Sequence, residues 1–287
     1  VRLLREQDQI RVLSEMLGRQ IPCVVDNYYA QNSKKTRMRF REFAYNLTDA
    51  IMEQLDDVKD HLNIVMGPFG SLPDMDIKVD HPNDYLNYRI DQQGTILLDY
   101  IFAGQAQHVL SQLYEATDTL YPGIDVHVFH YGKVGILHPD GRVGQICLPI
   151  EALDESKIKR DDIRASPIYN ELARDNDIAQ QFTQAVQAQV HQGTTVNSVS
   201  VLRQTRTDLR TALDAGGDFL DMEWSVIAGL DHGYNTLYPH LGSIKYFMAG
   251  IGSDVPLSDK TLGDTPYPQQ IEKRVANTFY RFTQELD

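Results

Sequence analysis

Three short segments of this sequence combine glycine, serine and acidic residues in patterns that could do chemistry. Gly132-Lys133-Val134-Gly135 follows the apolar run Val126 to Tyr131. Glycines at a strand end let the backbone approach a flat ligand closely, and a plain turn uses the same residues. Gly216-Gly217 leads through Asp218-Phe219-Leu220 to Asp221-Met222-Glu223. The two oxygens of a Glu223 carboxylate match a vicinal diol, and Met222 offers a soft apolar floor. Alternatively, Asp221 and Glu223 complement the dipole at a helix N-terminus. The third segment, Ile244 to Ile251, runs into Gly252-Ser253-Asp254-Val255-Pro256. An acid just past a buried strand is half desolvated, so its pKa rises and it can keep a proton for a leaving base. Ser253 would orient or cap it; a turn-forming Asp before Pro256 is the other reading.

Elements that could position these residues follow from the hydrophobic pattern. Ile10, Leu13 and Leu17, then Phe40, Phe43, Leu47, Ile51 and Leu55, recur at helical spacing. They predict an N-terminal helical segment over 1–60. An α/β domain is expected over 61–287. Its first strand is Leu62 to Met66, and residues 71–94, rich in Asp, Pro, Asn and Tyr, read as a long loop in which Tyr85 and Tyr88 either stack on a base or pack. Strand and helix signals then alternate. Strands are expected at Ile96 to Ala103, Val126 to Tyr131, Val143 to Pro149, Thr194 to Leu202, Phe219 to Met222 and Ile244 to Ile251. Helices are expected at Ala106 to Ala116, Ile168 to Arg174, Ile178 to Gln189, Thr207 to Ala215 and Pro268 to Glu285.

The totals exclude several classes. A formal net charge of -13 over 287 residues repels duplex nucleic acid and anionic membranes. The basic run Lys34 to Arg41 reads as a solvated helix face or subunit contact, with a phosphate or nucleotide site the minority reading. No apolar run is long enough to span a bilayer and Val1 opens a charged stretch, so a cytoplasmic protein without membrane partners is expected. Cys23 and Cys147 lie far apart, and the histidines lack ligand spacing, so neither a disulfide framework nor a metal site is expected.

Taken together and in this order, the three segments resemble the nucleoside phosphorylase and nucleosidase superfamily. Its members show a Gly-Thr-x-Gly-Gly-like turn, a Met-Glu after an apolar strand and a Ser-Asp after the last central strand. The segment Ser253-Asp254-Val255-Pro256-Leu257 is most similar to the Ser-Asp-Lys-Pro-Leu of bacterial AMP nucleosidases, and Val190-His191-Gln192-Gly193 sits where the family has a His-x-Gly strand. The resemblance covers about residues 95–287. It implies a three-layer α/β/α fold with a mixed central sheet, a purine nucleoside or nucleotide as the small-molecule substrate, and a homo-oligomer. It further implies that Glu223 holds the ribose hydroxyls and Asp254 protonates the base. Met222, Gly132, Val134, Gly135, His130 and Ser253 would line the site.

The sequence also departs from that pattern. His130 stands where phosphorolytic members often carry a phosphate-clamping Arg, and Gly67-Pro68-Phe69-Gly70 lacks the basic residue of the family's phosphate loop. Histidine is a weaker, pH-dependent clamp, so water is favoured over inorganic phosphate as co-substrate, and no other cofactor is expected. Trp224 follows Glu223 where a small residue is usual. Ser258-Asp259 supplies a second Ser-Asp, so Asp259 is an alternative acid. A non-enzymatic phosphorylase-fold module for nucleotide sensing or assembly is the rival reading.

Overall fold

The computed structural model describes residues 61–81, 87–99, 109–111, 113–115, 117–118, 121–154, 166–167, 170–197, 205–224, 227, 242–258 and 267–285. The expected N-terminal helices, the basic run, Tyr85 and Asp259 lie outside the described residues.

Among these residues ten strands make one mixed sheet: β1 (His61–Met66), β2 (Ile77–His81), β3 (Tyr88–Asp91), β4 (Ile96–Leu98), β5 (Asp125–Ile136), β6 (Ile146–Asp154), β7 (Ser166–Pro167), β8 (Val190–Asn197), β9 (Phe219–Asp221) and β10 (Ile244–Asp254). The described helices are α1 (Glu171–Arg174), α2 (Asn176–Val186), α3 (Arg206–Asp214) and α4 (Gln269–Glu285). Further helical residues lie between 109 and 118.

Strand β5 is the axis. Its alternation sends Val126, Val128, Val134 and Ile136 to one core cluster and Phe129 and Tyr131 to another, so it is buried on both faces as a central strand must be. One face is covered by Val109, Leu110, Leu113 and Tyr114. The other is covered by α1, α2 and α4, whose Phe182, Val275, Phe279 and Phe282 recur at helical spacing. Leu209 and Ala212 of α3 pack on a third cluster with Val196 and Leu220. The result is the expected α/β/α layering. Cap chemistry fixes helix starts: the Asp175 carboxylate accepts from the Asp177 and Ile178 amides, and Thr205 accepts from the Asp208 amide.

The sheet also closes on itself. Along one edge β5 pairs in parallel with β10 over its whole described length, and β10 pairs with β6, β6 with β8, β8 with β9, and β9 back with β5. These five strands form a barrel, from which β1, β4, β3 and β2 extend as a wing.

Asn170 stands where the sheet curls from β10 to β6. Fully buried, it accepts from the Met248 amide at 2.8 Å and donates to the Met248 and Pro149 carbonyls at 3.0 and 3.3 Å. Asn170→Ala strands three buried backbone groups, and a loss of about 3 kcal/mol is expected in denaturant unfolding.

Several expectations need correction. Residues 71–94 are not one long loop: β2 and β3 form an antiparallel pair there, and Tyr88 is a buried core residue rather than a base platform. Turn-forming residues at 82–84 hid the two short strands. Strand β5 does not stop at Gly132 but continues to Ile136, because β10 pairs with it through Gly132 and beyond. For the same reason Asp254 ends β10 rather than following it. Strand β8 begins at Val190, four residues early, since its polar start pairs with β6. Tertiary pairing overrides local propensity in each case. No described helix is long and apolar enough to cross a membrane.

Candidate functional site

The site begins with a fork in the sheet. On one edge of β5, β1 ends with Met66 opposite His130, and β9 joins only at Gly135, opposite Leu220. Between them, among the described residues, Tyr131 to Val134 have no strand neighbour on that edge. Open α/β sheets offer their ligand crevice at such a switch point, outside the carboxyl ends of parallel strands. His130, Gly132, Val134 and Gly135 all lie on this stretch.

Beyond Leu220, strand β9 runs antiparallel to β5 and so leads back along the fork. Met222 is half-buried and Glu223 buried. The Asp221 carboxylate accepts from the Glu223 amide at 2.8 Å and from the Trp224 amide, which caps the turn that follows. The Glu223 and Asp221 side chains also hydrogen-bond each other. Burial pushes the Asp221 pKa up, opposed by the Trp224 and Glu223 amides, the Glu223 carboxyl and the Met222 amide. Two touching carboxyls in a dry site do not both ionise readily, so the pair is suited to sharing a proton. The helix dipole was the alternative role for Asp221 and Glu223 in the sequence; in the structure Asp221 caps the turn and neighbours Glu223.

Trp224 explains a glycine. Its ring lies 2.6 Å from where a Cβ of Gly250 would be, and Gly250 is the register partner of Gly132. The indole therefore takes the place of a side chain at 250 and fixes the Glu223 segment against β10 and β5.

On the other side of β5, Asp254 is the register partner of Gly135, after a bulge at Gly252 that re-aims the strand end. Ser253 Oγ lies 2.7 Å from Asp254 Oδ1 and 3.2 Å from the Val134 carbonyl. A hydroxyl has one hydrogen and serves only one of these acceptors at a time; both contacts are satisfied when Asp254 carries a proton. Burial agrees, pushing the Asp254 pKa up against the Ser253 hydrogen bond. Pro256 packs on Gly135 beside Leu220. Three residues of β5, about 10 Å of strand, separate the Gly132 end from the Gly135 end.

His130 is buried between Met66 and Met248, and its Nδ1 has no partner among the described residues. Burial lowers its pKa to about 4, so it is neutral at pH 7. The unfolded chain binds this proton near pH 6.5 and the folded chain does not. Stability from this residue is thus complete above pH 6.5 and lost as pH falls toward 4. His130→Phe should flatten the pH dependence of unfolding in that window by about 3 kcal/mol relative to the parent. The Gly67-Pro68 loop is covered by Tyr131, whose hydroxyl donates to the Pro68 carbonyl at 2.9 Å.

A cavity of ≈ 510 Å³ opens elsewhere, at the barrel mouth formed by the starts of β6, β8 and β9, and is lined among others by Gln145, His191, Asp218 and Phe219. No sequence motif marks it, because its walls come from three separated segments, 136–145, 189–192 and 218–219.

This architecture recurs in solved structures. A uridine phosphorylase from Schistosoma mansoni superposes with a TM-score of 0.56 at 11% identity, covering 78% of this chain and 88% of that one. The fold is that of the nucleoside phosphorylases and nucleosidases. A schistosoma purine nucleoside phosphorylase in complex with hypoxanthine superposes on this phosphorylase-like fold at 0.58, with 14% identity over 86% of this chain and 97% of the other. So does a protein described as a methylthioadenosine nucleosidase from Weissella paramesenteroides, at 0.53 and 13% identity, covering 78% and 98%. No protein-family model and no curated protein matches the sequence.

Proposed function

We propose that the chain cleaves the N-glycosidic bond of a purine nucleoside or nucleotide with water as the nucleophile. The observation that carries this reading is the fork in the sheet: one carboxyl, Glu223, follows the strand that bounds it, and a second, Asp254, lies beside Gly135 at its far end. In the reaction the bond from the anomeric carbon to the base nitrogen breaks as the Asp254 proton passes to the base. Water oxygen bonds to the anomeric carbon, and its released proton restores Asp254. Glu223 holds the ribose hydroxyls, and Met222, Gly132, Val134, Gly135 and Ser253 frame the ligand.

Water is favoured over phosphate by the environment of His130, which is neutral and enclosed, and by the Tyr131 hydroxyl, whose proton is already given to the Pro68 carbonyl. Incubating the full chain with nucleosides and nucleotides, with and without inorganic phosphate, tests the reading by the sugar product. Free ribose or ribose 5-phosphate supports hydrolysis, ribose 1-phosphate supports phosphorolysis, and no released base sinks both.

One observation favours a second reading, a catalytically inactive nucleotide-sensing or assembly module: the Glu223 carboxyl already has a partner in Asp221. Binding of adenine nucleotides without turnover would select it. A homo-oligomer in the cytoplasm is the setting proposed for either reading, and sedimentation tests the assembly.

A further inference from the structure

The barrel interior carries a line of polar groups that the reading above does not use. Register places Cys147 beside His191, Ala152 and Phe219 beside Thr195, and Asp221 beside Asn197. Cys147, Ala152 and Phe219, from β6 and β9, share one core cluster with Val134 and Ile136 of β5 across the ring, so His191, Thr195 and Asn197 occupy the same inner face of β8. Each has a buried polar atom without a hydrogen-bond partner among the described residues: His191 Nε2, Thr195 Oγ1 and Asn197 Oδ1.

The remaining inward position on β8 is Gly193, and its missing side chain is replaced by that of Asp218, whose Oδ2 lies 2.5 Å from where a Cβ would be. That oxygen accepts from the Thr194 amide at 2.8 Å. Burial, with a smaller contribution from the Asp218 carboxylate, raises the pKa of the Cys147 thiol. Polar groups thus follow one another along β8 at successive inward positions, about 7 Å apart. One water, or at most two, making hydrogen bonds of ordinary length bridges such a gap. The line starts at His191 and Asp218, which both line the ≈ 510 Å³ cleft, and ends at Asp221, the partner of Glu223.

Buried polar groups in proteins are almost always satisfied, by ordered water where protein supplies no partner. We infer that the barrel encloses a file of bound water running from the cleft at its mouth, past His191, Asp218, Thr195 and Asn197, to the Asp221–Glu223 acid pair. The file lets the pair exchange its proton and its water with solvent through the barrel, independently of the fork where the ligand is proposed to sit. This inference rests on the barrel alone and stands whether or not the chain is a glycosidase.

Crystals of the full chain that resolve ordered solvent should show water within hydrogen-bond reach of His191 Nε2, Thr195 Oγ1 and Asn197 Oδ1. A dry lumen, or those atoms paired with protein, would overturn the proposal. Thr195→Val, nearly isosteric, gives a thermodynamic check. Loss of a water-bound hydroxyl should lower Tm by about 3 °C, whereas a rise in Tm would mean the hydroxyl sits orphaned in a dry barrel. For the connection, infrared spectroscopy on transfer to D₂O follows exchange of the shared acid proton. His191→Phe, which plugs the cleft end, should slow it at least about tenfold; an unchanged rate in both variants rejects the conduit.

Discussion

Asp254→Asn is expected to lower the rate of base release about 10²- to 10⁴-fold, the usual worth of a positioned general acid. Asparagine keeps the shape and can still accept from Ser253, so the fold is retained. Because burial raises the pKa of Asp254, the parent chain, on the proposed reading, should hold the useful proton above the ordinary carboxylate range and lose base release as pH rises through that raised value. The variant should lose this alkaline limb. A riboside of a phenol acidic enough to leave without protonation provides the control, since its cleavage should be far less affected. Equal losses on both substrates would mean that Asp254 supports structure rather than protonating the base.

Glu223→Gln is expected to cost about 10²-fold in kcat/KM, from the loss of charge-assisted hydrogen bonds worth roughly 1.5 to 3 kcal/mol. An amide in place of the carboxyl can still donate to Asp221, so the capped turn and Trp224 should stay in place. The discriminating substrate is a 2′-deoxynucleoside: lacking one of the two hydroxyls, it should be a poorer substrate for the parent yet much less sensitive to the substitution. If deoxy and ribo substrates suffer alike, Glu223 does not grip the diol.

The sequence and the structure agree best where one pattern serves both local and tertiary needs. Strand β5 could be recognised from Val126, Val128 and Phe129, and α4 from Val275, Phe279 and Phe282, because each presents a continuous apolar face. The fold implied by the segments around Glu223 and Asp254 was legible too. Legibility fails where a partner strand decides. Gly132 and Gly135 read as a strand end, yet β10 carries the strand through both. The valine- and threonine-rich pattern starts the strand only at Thr194, yet β6 recruits Val190 to Gly193 into β8. The pairing of Asp221 with Glu223 and the substitution of Asp218 for a side chain at Gly193 depend on where strands end in space, which no spacing encodes.

Ring closure has a consequence for how the chain is made. The axis strand finds one neighbour at residues 244–254, so that Ser243 bonds to Asp125 across 118 positions, and seals its ring through only two residue pairs with β9. Contacts this remote carry a large entropic cost before they stabilise anything, which places the protein among slow folders. On the ribosome the chain must emerge through Asp254 before the circle can be completed. Until then the unpaired edges are open to aggregation, so yield during synthesis should depend on chaperone supply more than on final stability.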